Sequence, residues 1–321
     1  MYQAECEHVM RIDMHAHYFP TEYLDKLEAC GSGFTAIARG LGAGDDPGEI
    51  DKRLALMDAA GVDMQLLSAT PQLPVFDRPG DAIDSAKLAN DLYADLISRY
   101  PRRFAGLATT PLPHGEAAAE ELSRAMDELG LHGASIGTEV AYRTLGDRSF
   151  EPLWSELDRR NAILYIHASG QDAASPLIAD HGLRWVVGAP FEDTIGLLHL
   201  MAAGVVRRHP NIKFLVAHLG GPLPFLAQRI DDNRPYWQEG FPERPTQAWR
   251  KMWWDAANFH GPALRCAVDT FGADRIVLGS DFPYVQGDLY LRARTYIEEA
   301  GLSATSVEGI LERNAAALLG L

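Results

Sequence analysis

Met10-Arg11-Ile12-Asp13-Met14-His15-Ala16-His17-Tyr18-Phe19-Pro20 is the stretch from which the rest of the chain can be read. It has the pattern of a short strand running into a loop. Side chains two apart on a strand leave the same face, so His15 and His17 can converge on one point. Two imidazoles at that spacing make half of a metal site. Alone, the pair fits equally well two histidines satisfied by backbone at a strand end. The remainder of the chain separates these readings.

The chain has 321 residues, enough for two average domains or one barrel. Its 44 acidic and 29 basic residues give a formal charge of −15. That balance argues against nucleic acid as a partner, because phosphate binding needs a basic face. It leaves room for a small anionic substrate, since a few arginines in a cleft set the local field. Cys6, Cys30 and Cys266 are too few and too scattered for a disulfide framework or a cysteine zinc site. A reducing, cytoplasmic location is the expectation. Glu5 and Glu7 do not suit a signal peptide, and no apolar run approaches a membrane span.

Strand-like and helix-like stretches alternate along the chain. Strands are expected at Met10–His17, Val62–Ser68, Phe104–Thr109, Gly133–Gly137, Ala162–His167, Ile212–His218, Met252–Ala256 and Arg275–Asp281. The apolar run Ala162-Ile163-Leu164-Tyr165-Ile166 suits a strand buried on both faces. Helical periodicity fills the intervals, as at Leu88, Leu92 and Leu96 before Pro101. The segment 21–48 reads as an active-site loop or small cap, and the helix after strand five as starting at Thr194. Eight such units predict a (β/α)8 TIM barrel over residues 1–321, with a small N-terminal loop or cap insertion. A doubly wound sheet is the competitor, but no glycine-rich phosphate loop follows the first strand.

In that barrel His15 and His17 close strand one, His167 strand five, His218 strand six and Asp281 strand eight. All five fall on the face where barrels carry their catalysis. Neutral imidazoles with one carboxylate suit zinc (Zn2+) or a similar divalent ion such as manganese (Mn2+).

The motifs have a family counterpart. Ile12-Asp13-Met14-His15-Ala16-His17-Tyr18-Phe19-Pro20, Met57-Asp58-Ala59-Ala60-Gly61-Val62, Tyr100-Pro101-Arg102-Arg103-Phe104, Ala217-His218-Leu219-Gly220-Gly221 and Leu278-Gly279-Ser280-Asp281-Phe282-Pro283 carry it. With these the chain resembles the amidohydrolase superfamily, and within it the decarboxylase branch typified by aminocarboxymuconate-semialdehyde decarboxylase. The resemblance implies that His15, His17, His167 and Asp281 bind one divalent metal. It implies that His218, with Asp281, activates water or guides a proton. Arg53 matches a substrate-carboxylate arginine. Arg229 matches one supplied by the neighbouring subunit of a homodimer. The implied activity is non-oxidative decarboxylation of an aromatic or unsaturated carboxylic acid, a small anionic substrate. Hydrolysis of a lactone or amide, hydration, and a catalytically dead binding barrel are the alternatives.

Two-metal relatives carry a lysine at the end of strand four. Lys26, Lys52, Lys87, Lys213 and Lys251 all lie elsewhere, so one metal is expected; Glu139 reads as a loop glutamate. After His167 the typical decarboxylase has a Pro-Trp pair, where this chain has Ala168-Ser169-Gly170. The pocket should therefore differ there. Trp185, Phe191, Trp237 and Tyr284 could wall a flat substrate or belong to the core.

Overall fold

A computed structural model describes residues 10–170, 181–237, 241 and 243–321. Cys6 and the side chain of Trp237 lie outside the described residues. Eight strand positions run in order: β1 Ile12–His17, β2 Met64–Ser68, β3 Phe104–Gly106 resuming at Ala108–Thr109, β4 Gly133–Gly137, β5 Ile163–His167, β6 Lys213–Val216, β7 Trp253–Asp255 and β8 Ile276–Val277. Neighbours pair in parallel in this order. The chain after β8 returns to β1: Ala16 bridges Phe282 in parallel, and Met14 N–H donates to Leu278 O at 2.8 Å. The sheet closes into the (β/α)8 barrel.

Inward positions build the site from below. On β5, Ile163 and Tyr165 join the interior cluster while Leu164 and Ile166 pack outward on the helices. Alternation therefore turns His167 inward at the strand's end. On β1, Ile12 and Met14 face inward. A register irregularity between Asp13 and Ala16 then shifts the phase. It lets His15 and His17, rather than Ala16, look into the barrel mouth. Leu318 and Leu319 join the interior cluster from the last helix.

Helices cover the outside. In the first half they are α1 Thr21–Ala29, α2 Pro47–Ala60, α3 Pro79–Arg99, α4 Gly115–Asp127 and α5 Glu151–Arg159. In the second half come α6 Ala189–Ala202, α7 Val205–Arg208 and α8 Leu223–Asn233. Asp46 caps α2 by accepting from Gly48 N–H at 2.8 Å, Pro47 opens it, and Gly61 ends it in the left-handed conformation.

Segment 21–48, expected as an active-site loop or small cap, contains α1, which forms because Tyr23, Leu24 and Leu27 give it a buried face. One expectation needs correction. Helix α6 starts five residues before Thr194, at Ala189, running straight on from a π-helical turn at Arg184–Gly188. That shift puts Glu192 and Asp193 on a helix. No helix among the described residues is long and apolar enough to cross a membrane.

Candidate metal centre

His15, His17, His167 and Asp281 meet at the C-terminal mouth of the barrel. One ligand atom from each lies within 4.8 Å of the others. Asp281 Oδ1 is 3.2 Å from His15 Nε2 and 3.3 Å from His17 Nε2. A tetrahedral ion with bonds of about 2.1 Å has ligands about 3.4 Å apart, so the spacing suits direct coordination. Among the described residues His167 Nε2 is buried without a hydrogen-bond partner. Buried polar atoms normally find one, and a cation here would supply it.

Behind each ring stands a group that orients it. His15 Nδ1 faces Asp255 Oδ2 at 3.1 Å. His17 Nδ1 faces Ser68 Oγ at 3.0 Å. His167 Nδ1 donates to Ala168 O at 2.8 Å. With Nδ1 of each ring turned toward these groups, the three Nε2 atoms point into the space beside Asp281, the usual outer arrangement of histidine ligands. Tyr165 OH in turn donates to Asp255 Oδ2 at 3.0 Å.

Electrostatics favour a cation at this point. Burial lowers His17 to about 4 and holds His167 well below the imidazole range, with neighbouring rings adding to the effect for His167. Both are therefore neutral, as ligands must be. Burial would lower His15 too, but the carboxylates of Asp255 and Asp281 outweigh it and raise the ring to about 9. Positive charge is what this position stabilises. Burial tends to raise the Asp281 carboxyl, but the histidines around it outweigh that and hold it well below the usual range.

His218 sits above this group. Its Nδ1 is 2.7 Å from Asp193 Oδ2, its Nε2 is 3.8 Å from Asp281 Oδ2, and its N–H donates to Asp255 Oδ1 at 3.1 Å. It lies beside the ligand set without belonging to the four. Tyr284, 39% exposed, crosses His17 edge-on at 5.6 Å, so it borders the centre rather than the core. Where the Pro-Trp pair is missing, Gly170 adopts φ +71°, and a Cβ there would lie 2.3 Å from the Trp185 ring. The Trp185 ring thus packs against the turn where that pair is missing. Next to Ser169 opens a cleft of about 660 Å³, lined also by Phe34, Gln72, Phe76, Arg78 and Glu139.

Arg53 does not reach this space. It is 2% exposed, packed at 4.5 Å over the Phe282 ring, and its Nη1 donates to His17 O at 2.8 Å. Its Nε donates to Gln65 Oε1 at 2.7 Å, and Gln65 continues to Asp13 Oδ2 at 2.9 Å. The position expected to hold a substrate carboxylate instead ties α2 to the back of β1. Arg53→Ala should therefore lower stability by about 3 kcal/mol, since two buried acceptors lose their donor at about 1–3 kcal/mol each. The melting temperature should fall by roughly 4–5 °C. An unchanged melting temperature with a raised KM would restore the substrate role.

Asp255, Asp193 and Ser68 escaped the sequence reading. Ser68 ends an expected strand and Asp255 is the next-to-last residue of another, so polarity near a strand end was the available signal. Asp193 carried none, because it lies before the expected start of its helix.

A family model described as Amidohydrolase matches residues 12–321. The chain belongs to the amidohydrolase family. It is 30% identical, over 97% of its length and 92% of the relative's, to a 2-amino-3-carboxymuconate-6-semialdehyde decarboxylase of Dictyostelium discoideum. It is 31% identical to a gamma-resorcylate decarboxylase of Rhizobium sp. strain MTP-10005, over 73% of this chain and 76% of the relative. Among solved structures, a dihydroxybenzoic acid decarboxylase of Polaromonas sp. JS666, with bound manganese and the inhibitor 2-nitroresorcinol, superposes with a TM-score of 0.82. That pair is 25% identical and covers 98% of this chain and 97% of the other.

Proposed function

We propose that residues 1–321 form one catalytic domain, a metal-dependent, non-oxidative decarboxylase of a small aromatic or unsaturated carboxylic acid. The observation that carries this is the His15, His17, His167 and Asp281 group, in a chain whose relatives are decarboxylases. One divalent ion fits the group. Three imidazoles and a carboxylate suit zinc, and the Polaromonas relative holds manganese. When bound, the ion supplies a Lewis acid that fixes an oxygen of the substrate and withdraws charge from it.

The chain's own residues do the rest. Tyr284 and Trp185 flank a flat substrate at the mouth. His218 delivers a proton to the carbon that carries the carboxylate, through Nε2. That carbon becomes tetrahedral, its bond to the carboxylate breaks, and carbon dioxide leaves. The bonding pair returns to the ring or diene, so the net change is one proton taken up for one carbon dioxide released. The neighbouring Asp281 balances the charge on His218. Incubation of the manganese- or zinc-loaded protein with 2,6-dihydroxybenzoate and related acids should release carbon dioxide. Inert acids together with hydrolysed lactones or amides would replace this reading with hydrolysis.

The free thiols Cys30 and Cys266 suit a reducing, cytoplasmic setting. A homodimer completes the site. On α8 and the turn that follows, Phe225, Arg229 and Tyr236 fall at i, i+4 and i+11, one exposed stripe. Phe225 is 86% and Tyr236 83% exposed, and two bare aromatics on one stripe suit an interface. Arg229 then holds the substrate carboxylate in the partner's site. Its loss should lower kcat/KM by about 10- to 100-fold, as for a charge-assisted bond of about 1.5–3 kcal/mol. Arg229→Ala mixed with His218→Ala tests this. Each mixed dimer has one intact site if Arg229 acts across the interface, so activity returns. Heterodimers that recover nothing would place Arg229 within its own subunit or outside the site.

A further inference from the structure

Helix α6 carries two adjacent, fully buried carboxylates, Glu192 and Asp193. Neighbouring residues of a helix point about 100° apart, and these two serve different strands. Glu192 Oε2 accepts from Ser169 N–H and Gly170 N–H, each at 2.9 Å, in the turn after β5. Asp193 Oδ2 lies 2.7 Å from Nδ1 of His218, in the turn after β6. The helix is clamped to that second turn. Thr194 Oγ1 donates to Gly220 O at 2.7 Å, and a Cβ on Gly221 would lie 1.8 Å from Pro190 O.

The turn itself does not orient the imidazole. His218, Leu219, Gly220 and Gly221 all have φ between +52° and +69°. Two of these residues have side chains, so the conformation is strained and must be held from outside. None of Leu219, Gly220 and Gly221 offers a side-chain acceptor. Asp255 binds the His218 backbone N–H with one oxygen and His15 with the other. Asp281 faces the opposite ring nitrogen. Among the described residues that leaves Asp193, whose second oxygen is buried there without a partner.

We propose that Asp193 is the positioning residue of His218, holding the imidazole with a proton on Nδ1 so that Nε2 stays turned toward Asp281 and the reacting carbon. Through the helix, α6 then sets the registry between the turn bearing the reacting histidine and the turn after metal-site His167. The inference rests on the decarboxylase reading only for its kinetic consequence; the ring orientation stands by itself.

Two measurements on the metal-loaded protein test it. In ring-labelled wild type, NMR should find His218 with a bound Nδ1 proton, and Asp193→Asn should shift or remove that signal while metal content stays at the wild-type level. Wild-type His218 carrying its only proton on Nε2, or an unmoved signal in the variant, would overturn the proposal. In turnover, Asp193→Asn should lower kcat about 10- to 100-fold, as for other carboxylates that orient an active histidine, with KM little changed. In a His218→Ala background the same substitution should change kcat less than about 2-fold, because a residue acting through His218 has nothing left to act on. An equal loss in both backgrounds would mark Asp193 as merely structural. If the variant is insoluble, Asp193→Ser takes its place with the same expectations. A wild type that releases no carbon dioxide from any acid would fault the functional reading, and the NMR arm would still decide the role of Asp193.

Discussion

His167→Ala should purify almost free of metal and without measurable turnover. Structural zinc sites hold their ion with on the order of 10–16 kcal/mol shared over four ligands. One ligand then accounts for about 3 kcal/mol, or ~10²-fold in affinity. Among the described residues His167 Nε2 is buried with no hydrogen-bond partner, and its Nδ1 is committed to Ala168 O. The small cavity left by alanine lies among neutral His17, charged Asp281 and His15, and gives the ion only water in exchange. Elemental analysis should find about one ion per chain in the wild type and a small fraction of that in the variant. Added zinc or manganese should restore occupancy only at concentrations ~10²-fold higher. Wild-type metal content in His167→Ala would remove this residue from the ligand set.

The barrel and the place of the site were legible because both rest on period and position. Ile163, Tyr165 and His167 share one strand face by simple alternation, and the sequence already shows the polar residue at the end of the apolar run. His15 and His17 were legible for the same reason, although the irregularity that brings them inward after Met14 is not. What stayed hidden depends on tertiary geometry. Arg53 resembles a solvated or substrate-facing helix residue until Gln65, His17 and Phe282 are seen closing around it. Asp193 looks like one of many acidic residues. Only the close approach of α6 to Gly220 and Gly221 sets it against His218.

His218→Ala should keep its metal and lose kcat by ~10²- to 10⁴-fold, the range for a positioned proton-transfer group. The four-residue group is complete without His218, so metal content should match the wild type. KM should change little, because in the proposed reaction the imidazole acts at the reacting carbon and not on the substrate carboxylate. A fall in kcat at constant KM is the pattern of an interaction made only in the transition state. The wild-type ring is suited to give a proton. Burial would lower its affinity for one, but the carboxylate of Asp193 and then that of Asp281 outweigh burial and keep it well above the usual imidazole range. Added imidazole, small enough for the space left by the deletion, should return part of the lost rate. Steady-state kinetics beside metal analysis distinguishes the outcomes. A variant that loses its ion, and regains the full wild-type rate once metal is restored, would make His218 a ligand and leave the proton to another group.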